Sequence, residues 1–592
     1  MSQPQQPQFD IKNIIMATAL SMLIVFGWQY YYAGPAAKKA EQQATTQQQP
    51  ATTQIATTAE ATVKDRAEII AATKRVTIDT PELSGSINLK GAALDDLHLN
   101  KYRETVAKDS PLITLLSPSG AQDAYYVVQG YAAAGGSPIK MPGQDTQWQA
   151  TDGAVLKSGA PVTLTWDNGE GLQFSREISI SDSYLFTVKD TVKNNGSTPV
   201  GLQPFTVVQR EDTPKIAGYS TFYEGPLGLQ NGARQEFTYA KLKKDPTNVN
   251  QVSATGGWVG FTDKYWSTVA IPDQTSKVTA FYNFMSMPNR DGYKTGYRVD
   301  EPLNVAPGGT ATYEDHVYAG AKVVNLLNEI GAKYKFDNFN MMIDWGWFSL
   351  ITQPMFKLVS FVHGIVGNFG VAILIVTVLV KAAVFPLANR SYASMSKMKN
   401  LKPQMDAIKE QNPDDRAKQQ METMELYKRE KVSPMAGCLP IFVQIPIFFS
   451  LYKVILTTIE LRQAPFFGWI QDLSVPDPTS IFNLFGLLPF HPPAALMIGF
   501  WPLLMGITMW IQMRLNPAPP DPVQAQMFNW MPVIFTYSMA GFPAGLTIYW
   551  AWSNFLSIIQ QSYIMKKHGT ELNLFGNIRE SLPFLKKKQA AT

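Results

Sequence analysis

One charged side chain interrupts a long apolar segment of this 592-residue chain. Lys381 follows the uncharged run 369–380 in the stretch LIVTVLVKAAVFPL. Placing a lysine within a bilayer costs about 3 kcal/mol or more unless its ammonium meets water or the headgroups. Thr377 lies four residues earlier and therefore shares its helical face. The pair predicts either a hydrated cavity inside the segment or a lysine that extends to the membrane surface.

Two further polar side chains lie inside apolar segments. Gln444 belongs to IFVQIPIFFS and Thr547 to AGLTIYW. Such groups most often form contacts between membrane helices. They could also line one hydrated cavity together with Thr377 and Lys381, and both arrangements are compatible with the sequence.

Residue patterns typical of enzymes are missing from the sequence. It contains no GxSxG, HExxH, Walker or calcium-binding motif. The five histidines have no metal-ligand spacing; they are His98, His316, His363, His491 and His568. A single cysteine, Cys438, excludes an intramolecular disulfide, and a net charge of +4 argues against a nucleic-acid-binding protein. We therefore expect no catalysis, no cofactor, no metal and no direct nucleic-acid substrate.

Apolar runs predict a multi-pass α-helical membrane protein with six spans. The first run, 14–32, is longer than a usual signal-peptide core and ends in an aromatic cluster, so we expect an uncleaved anchor over 1–33. The polar segment that follows predicts a linker over 34–73. The other predicted spans are 368–390 and, within 434–565, the segments 436–457, 494–513, 527–540 and 546–564. The sequence GFPAG at 541–545 separates the last two.

The segment 346–367 is apolar and aromatic but carries Gln353, Lys357 and His363. This composition predicts an amphipathic helix that lies in the membrane interface rather than crossing it.

Residues 74–330 have the texture of β-structure, with short runs of Val, Ile, Thr and aromatic residues. Asn168-Gly169 lies between 164–166 and 174–180, and Asn195-Gly196 follows 184–188. Both dipeptides predict β-hairpins. Many short strands without helical periodicity predict an all-β sandwich domain.

A charged segment, 391–433, predicts a helical hairpin. Apolar residues recur at helical spacing in its first half, at Met395, Met398, Leu401, Met405 and Ile408. Asn412-Pro413-Asp414-Asp415 ends that helix and offers a cap for a second one, which carries Met421, Met424 and Tyr427. The apolar stripe is more often the internal seam of such a hairpin, whereas exposed methionines could form an adaptable contact surface.

Positive charges predict the topology. Lysines and arginines concentrate between 390 and 431 and in a basic tail, 566–592, so both segments are expected in the cytoplasm. An even number of spans, four, must lie between them. The β domain is then exported, and both termini are cytoplasmic.

Several stretches of the last third closely resemble the YidC family of membrane insertases. They are FPLANRSYASMSKMKNLKPQM (385–405), ELYKREKVSPMAGCLPIFVQIPIFFSLYKVI (425–455), ELRQAPFFGWIQDLSVPDP (460–478) and MPVIFTYSMAGFPAGLTIYWAWSNFLSIIQQ (531–561). The anchor and the large β domain are similar to the Gram-negative form of the family. This resemblance implies a five-helix insertase core and an exported domain like a sugar-mutarotase sandwich, without enzymatic activity.

The resemblance also implies a substrate groove, open to the cytoplasm and the lipid. Lys381 occupies the place of a groove cation that is Arg in many members, so the charge is kept but the fork geometry of Arg is lost. Thr377 matches a groove threonine, and Tyr549 and Trp550 match two aromatic residues of the last span. Gln444 and Thr547 complete the expected groove.

The implied partners are nascent membrane proteins, the Sec translocon, membrane lipid, and the ribosome, the signal recognition particle or its receptor. Met395, Met398, Met405, Met421 and Met424 are the residues expected to recruit partners on the hairpin.

Two other functions remain open from the residues alone. The first is a transporter or channel in which Lys381 binds a small anion; such proteins usually have internal repeats, which this sequence does not show. The second is an exported carbohydrate-binding or epimerase-like protein that is attached to the membrane by its helices. It would need clustered acid–base residues, but His98 and His316 lie far apart in the sequence.

Overall fold

The computed structural model describes residues 63–134, 139–181, 183–215, 222–246, 250–413, 415–432, 439–490, 492–493, 496–516 and 522–569. The expected anchor, most of the linker, Cys438 and most of the basic tail lie outside the described residues.

Two largely antiparallel sheets form the first half of the described chain. The strands are β1 Arg75–Asp79, β2 Leu83–Asn88, β3 Ala93–Arg103, β4 Leu112–Leu116, β5 Tyr125–Ala133, β6 Val155–Leu156, β7 Val162–Asp167, β8 Leu172–Ile180, β9 Leu185–Asn194, β10 Val200–Glu211, β11 Gly225–Gln230, β12 Ala233–Glu236, β13 Asn250–Thr255, β14 Trp258–Thr262, β15 Trp266–Ile271, β16 Lys277–Met287, β17 Arg290–Val299, β18 Leu303–Val305 and β19 Thr310–Ala321. The larger sheet has the order β13-β16-β17-β10-β5-β3-β2-β1-β6, with β18 beside β10 and β4 beside β3. The smaller has the order β12-β11-β14-β15-β19-β9-β8-β7. The predicted large β domain is confirmed.

Asn168-Gly169 forms the predicted hairpin turn between β7 and β8. The Asn168 side-chain oxygen accepts from the amides of Glu170 and Leu172 at 2.8 and 2.9 Å, and Gly169 has a φ of +73°. Glycine adopts this left-handed conformation without steric cost. The strands pair directly, with Trp166 opposite Phe174.

The hairpin predicted at Asn195-Gly196 is wrong. The strand before it, β9, pairs with β8 and β19, whereas the strand after it, β10, belongs to the other sheet. The loop is held in this crossover by Asn194, whose amide donates to the carbonyls of Thr198 at 2.8 Å and Val305 at 3.1 Å. A turn dipeptide fixes a local change of direction, but the partners of the next strand are decided by distant residues.

The space between the sheets holds a hydrophobic core with a paired charge inside it. Arg176 on β8 is 1% exposed and donates to both carboxylate oxygens of Asp190 on β9, at 2.8 and 2.7 Å. Tyr131 of the opposite sheet donates to the same carboxylate at 2.8 Å. A buried ion is tolerable when it is paired and hydrogen-bonded in this way, so the cluster joins the two sheets.

Helices dominate the second half of the described chain. They are α1 Arg66–Ala71 and α2 Tyr239–Lys244 within the β domain, then α3 Val324–Tyr334, α4 Ser349–Val366, α5 Phe369–Ala383, α6 Phe385–Asn400, α7 Lys402–Gln411, α8 Arg416–Arg429, α9 Leu439–Thr457, α10 Phe500–Leu515, α11 Pro522–Met539 and α12 Ala544–Lys567. Short 3-10 helices cover Phe339–Met342, Ile459–Leu461 and Ile481–Gly486.

The continuous span predicted over 368–390 is broken. Helices α5 and α6 meet at Val384 with a bend of 66°. Pro386 lies in the first turn of α6 and has no amide hydrogen to donate to the turn before it, which favours a break at this point. By length and composition the bent pair fits one broken span, so the span over 368–390 stays a prediction.

Helix α4 covers most of the segment expected in the interface. Within the described ranges it is the one helix long and apolar enough to cross a membrane by itself, and the bent pair α5–α6 would be the second if counted as one span. Its Met355, Phe356 and Val359 are buried in the bundle, whereas Leu350 and Phe361 are 91% and 69% exposed. Apolar groups therefore cover both faces of α4, and its placement in the interface stays a prediction.

The break predicted at 541–545 is present between α11 and α12. Helix α10 begins at Phe500, six residues after the start predicted for that span (494 to 500).

The hairpin segment forms α6, α7 and α8. The cap predicted within 412–415 is provided by Asp415, whose carboxylate accepts from the amide of Lys418 at 2.9 Å. The first arm is not one helix, because the chain breaks at Leu401, just before Pro403 in the first turn of α7.

The β domain touches the loop between α9 and α10. Arg462 donates to the carbonyl of Arg103, at the end of β3, at 2.6 Å. Glu460 accepts from the amide of Val324, at the start of α3, at 2.8 Å. These contacts bring the β domain and this loop to the same end of the helices.

Candidate functional site

A cleft opens among α4, α5, α9 and α12. Its empty volume, including the open mouth, is about 320 Å³. The lining side chains are Met355, Val376, Thr377, Val380, Lys381, Val384, Gln444, Ile447, Leu451, Tyr549 and Ser553. Four of the six predicted groove residues therefore meet here, namely Lys381, Thr377, Gln444 and Tyr549.

Lys381 is half-buried and is held from α12. Its ammonium donates to the hydroxyl of Ser557 at 2.7 Å, and that hydroxyl donates to the carbonyl of Ser553 at 2.9 Å. Among the described residues that line the cleft there is no carboxylate. The cation therefore keeps most of its attraction for an anionic or strongly polar guest.

The other polar groups are satisfied within the bundle. The Thr377 hydroxyl donates to the carbonyl of Ile373 at 2.7 Å, one turn earlier in α5. The Gln444 amide donates to the Tyr549 hydroxyl and so joins α9 to α12. Both interpretations of the sequence apply to Gln444, because it is a helix–helix contact and also lines the cleft.

Thr547 and Trp550 do not line the cleft. Thr547 is 1% exposed, and its hydroxyl donates to the Ala544 carbonyl of its own helix at 3.0 Å. Trp550 packs instead against Phe448 and Phe535, with ring centroids 5.1 and 4.9 Å apart. Trp550 directly follows Tyr549 and Thr547 precedes it by two residues, so on a helix these side chains point about 100° and 200° away from that of Tyr549.

Sequence reasoning missed Ser553 and Ser557. They follow Tyr549 at steps of four residues, which places all three on one face of α12. That spacing was the available signal. Within the described part of the chain, no group of His, Cys, Asp or Glu could hold a metal ion.

The predicted recruitment methionines fall into three environments. Met395 is 4% exposed and packs in a cluster with Tyr392 and Ile564 of α12, so it is not available to a partner. Met398 and Met405 pack on the seam of the hairpin, formed by Leu401, Leu426, Tyr427 and Val432. Met421 and Met424 on α8 are 59% and 44% exposed.

The sequence matches two protein families that together cover most of its length. Residues 75–358 match the family described as YidC periplasmic domain, and residues 361–571 match the 60Kd inner membrane protein family.

Three relatives named membrane protein insertase YidC are similar over nearly the whole chain. The protein of Beijerinckia indica is 48% identical over 98% of this chain and 100% of its own. That of Bradyrhizobium diazoefficiens is 47% identical over 96% and 98%. That of Brucella suis is 48% identical over 96% of this chain and 97% of its own.

Proposed function

The chain belongs to the YidC family of membrane protein insertases, and we propose that the cleft around Lys381 is the groove that receives the polar segment of its substrates. The protein acts on nascent membrane proteins without enzymatic chemistry, and it lies in the inner membrane with a periplasmic β domain.

One observation carries the proposal. Lys381, Thr377, Gln444 and Tyr549 come from three helices, and their side chains converge on one cleft with an uncompensated cation. A polar or acidic segment of a nascent chain would lose less solvation there than in lipid. Partitioning of the substrate's own apolar helix into the bilayer then supplies the driving force.

The topology proposed for this function has six spans. The hairpin and both termini face the cytoplasm, and 34–345 with the loop 458–480 faces the periplasm. The contact between Arg462 and Arg103 supports the second part, because it joins that loop to the β domain. The hairpin then recruits substrates from the ribosome or from the signal recognition particle and its receptor, and the Sec translocon cooperates on some substrates.

Charge variants of Lys381 test the groove. We expect Lys381→Arg to insert substrates normally, and Lys381→Ala and Lys381→Glu to slow insertion of substrates with acidic translocated segments by about tenfold, which corresponds to ~1.4 kcal/mol of lost attraction. Insertion of a phage-coat protein or an ATP-synthase subunit would be followed after depletion of the native protein.

The matched control is Lys357→Ala, since Lys357 is an exposed lysine of α4 outside the cleft lining. Normal insertion by Lys381→Glu at equal protein level would rule out the role of the cation.

A further inference from the structure

The segment before α10 is apolar on its outside. Phe482, Leu484, Phe485, Leu487 and Phe490 are 45%, 53%, 43%, 82% and 49% exposed. No Asp, Glu, Lys or Arg occurs between Asp477 and Arg514. A loop in water would instead carry polar side chains outside, and a patch of this kind marks an interaction surface.

This segment, the 481–490 loop, pairs many of its polar groups through hydrogen bonds of its own. The Phe485 amide donates to the Ser480 carbonyl at 2.7 Å, and the Leu488 amide donates to the Asn483 carbonyl at 3.0 Å. The Asn483 side chain donates to the Phe490 carbonyl at 3.2 Å and accepts from the Gly486 amide at 3.0 Å. Irregular backbone survives in hydrocarbon only when its polar groups are paired like this.

Two bulky residues of the loop have strained backbones. Leu484 and Phe485 have φ values of +50° and +57°, a region that favours glycine. Such strain persists only where the surrounding bonds over-determine the conformation. Here that conformation leaves both side chains partly exposed, although the Phe485 ring also contacts Phe500.

The loop is joined to the first turn of α10 by an aromatic group. The Phe500 ring lies 6.0 Å from that of Phe485 and 5.4 Å from that of Trp469, between centroids. The Trp469 indole donates to Asp477 at 3.1 Å, and the same carboxylate accepts from the Trp501 amide at 3.0 Å. Aromatic side chains next to the last charged residue are typical of the boundary between water and lipid.

We propose that the 481–490 loop lies in the periplasmic leaflet of the membrane, with Phe482, Leu484, Phe485, Leu487 and Phe490 in contact with lipid acyl chains. The inference rests on the periplasmic placement of the preceding loop 458–480. The loop then gives α10, whose Ile507 is also exposed, a lipid anchor that continues its membrane face.

Spin labels measure the environment of this loop in the full chain. A Cys438→Ser background would carry Leu487→Cys or, as the matched control, Gln471→Cys, an exposed polar position of the preceding loop. Each variant would be reconstituted alone into phosphatidylcholine–phosphatidylglycerol vesicles. Oxygen partitions into lipid and a nickel chelate into water, so we expect a several-fold higher oxygen-to-nickel accessibility ratio at 487 than at 471.

Two results would overturn the inference. An equal ratio at both positions would place the loop in water. Low accessibility of position 487 to both reagents would mean that protein covers it, from the N-terminal segment or a second copy. Insertion assays on the Leu487→Cys variant keep this outcome separate from the groove proposal, because that residue lies outside the cleft.

Discussion

Ser557 determines where the Lys381 ammonium sits. Its hydroxyl accepts the 2.7 Å hydrogen bond and is itself anchored on the Ser553 carbonyl, so the pair draws the cation toward α12. Hydrogen bonds to charged groups contribute about 1.5–3 kcal/mol. Without this bond the long lysine side chain would occupy several rotamers, including ones that reach the headgroups.

We therefore predict that Ser557→Ala slows insertion of Lys381-dependent substrates several-fold, whereas Ser557→Thr keeps the hydroxyl and the rate. Ser538→Ala serves as a control, since Ser538 is exposed on α11. Insertion would be compared for substrates with and without acidic translocated segments. An equal loss for both classes would indicate a packing defect rather than a displaced cation.

Glu460 is a buried acid at the junction with the β domain. Burial raises its pKa to about 7. One oxygen accepts from the Val324 amide, and the other, Oε2, is buried without a hydrogen-bond partner among the described residues. Its neighbour Tyr102 stays neutral near pH 7, because burial raises the pKa of that phenol to about 12.

The pH dependence of stability follows from this shift. The folded protein keeps the Glu460 proton up to about pH 7, whereas the unfolded chain loses it near 4.5, so stability falls as pH rises between these values and is level above them. We predict that Glu460→Gln, which keeps an oxygen acceptor for Val324, gains up to about 3 kcal/mol over the native protein at pH 8 and little at pH 5. Thermal unfolding at both pH values measures the difference, and a gain independent of pH would contradict the assignment.

At the scale of elements, the sequence correctly predicted turns, caps and helix breaks, which neighbouring residues determine. The Asn168-Gly169 turn, the cap at Asp415 and the break at 541–545 each depend on a few adjacent residues. The hairpin at Asn195-Gly196 failed because β10 finds its partners in β5 and β17, far away in the sequence.

The candidate site also combines features set by nearby residues with features set by distant packing. The identity of Lys381 and Thr377 as a polar pair on α5 could be read from helical spacing. Which face of α12 meets them could not, because the rotation of one helix against another is set by packing over their whole length. Ser557, which was not predicted, therefore contacts Lys381, whereas the predicted Thr547 and Trp550 do not line the cleft.

Described side chains at the tip of the 391–433 hairpin form local hydrogen bonds. The Asn412 side chain donates to the Ile408 carbonyl at 3.1 Å and to Glu422 at 3.0 Å, and Asp415 caps α8. Replacing the tip would therefore damage the fold as well as any docking surface. Met421 and Met424 are better targets, because exposed side chains contribute little to stability.

We predict that the double variant Met421→Ser and Met424→Ser folds normally, within about 0.5 kcal/mol of the native stability, but recruits ribosome-bound substrates several-fold less well. Crosslinking from position 418 to a stalled nascent chain or to the targeting receptor measures recruitment. The control is Gln420→Ser, an exposed change on the same helix. Unchanged crosslinking and insertion would assign recruitment to the basic tail instead.

At the scale of the whole molecule, the β domain is joined to the membrane helices by a short segment with its own contacts. Asp344 forms an ion pair with Lys453 of α9 at 2.7 Å, and both side chains are largely buried. Val324 at the start of α3 donates to Glu460. Residues 324–345 therefore contact the insertase core at both ends. Between these ends, the Phe339 ring packs against Trp258 and Tyr318 of the β domain, with ring centroids 6.3 and 5.5 Å apart.

Two deletions test what the sandwich and the segment 324–345 each contribute to insertion. A deletion of 74–321 removes the sandwich, from the residue before β1 to the end of β19, but keeps α3, Asp344 and their contacts with α9 and the 458–480 loop. We predict that this variant inserts substrates at nearly the native rate, because the groove residues all lie beyond 350.

A deletion of 74–345 leaves Lys453 without Asp344 and Glu460 without the Val324 amide, and losing one partner of a buried ion pair costs about 3–5 kcal/mol. We expect that second variant to lose insertion even at equal protein level. Insertion assays on both would be normalised to membrane abundance. Failure of the shorter deletion would mean that insertion needs the sandwich or its packing against 324–345, and success of the longer one would mean that the segment 324–345 is dispensable.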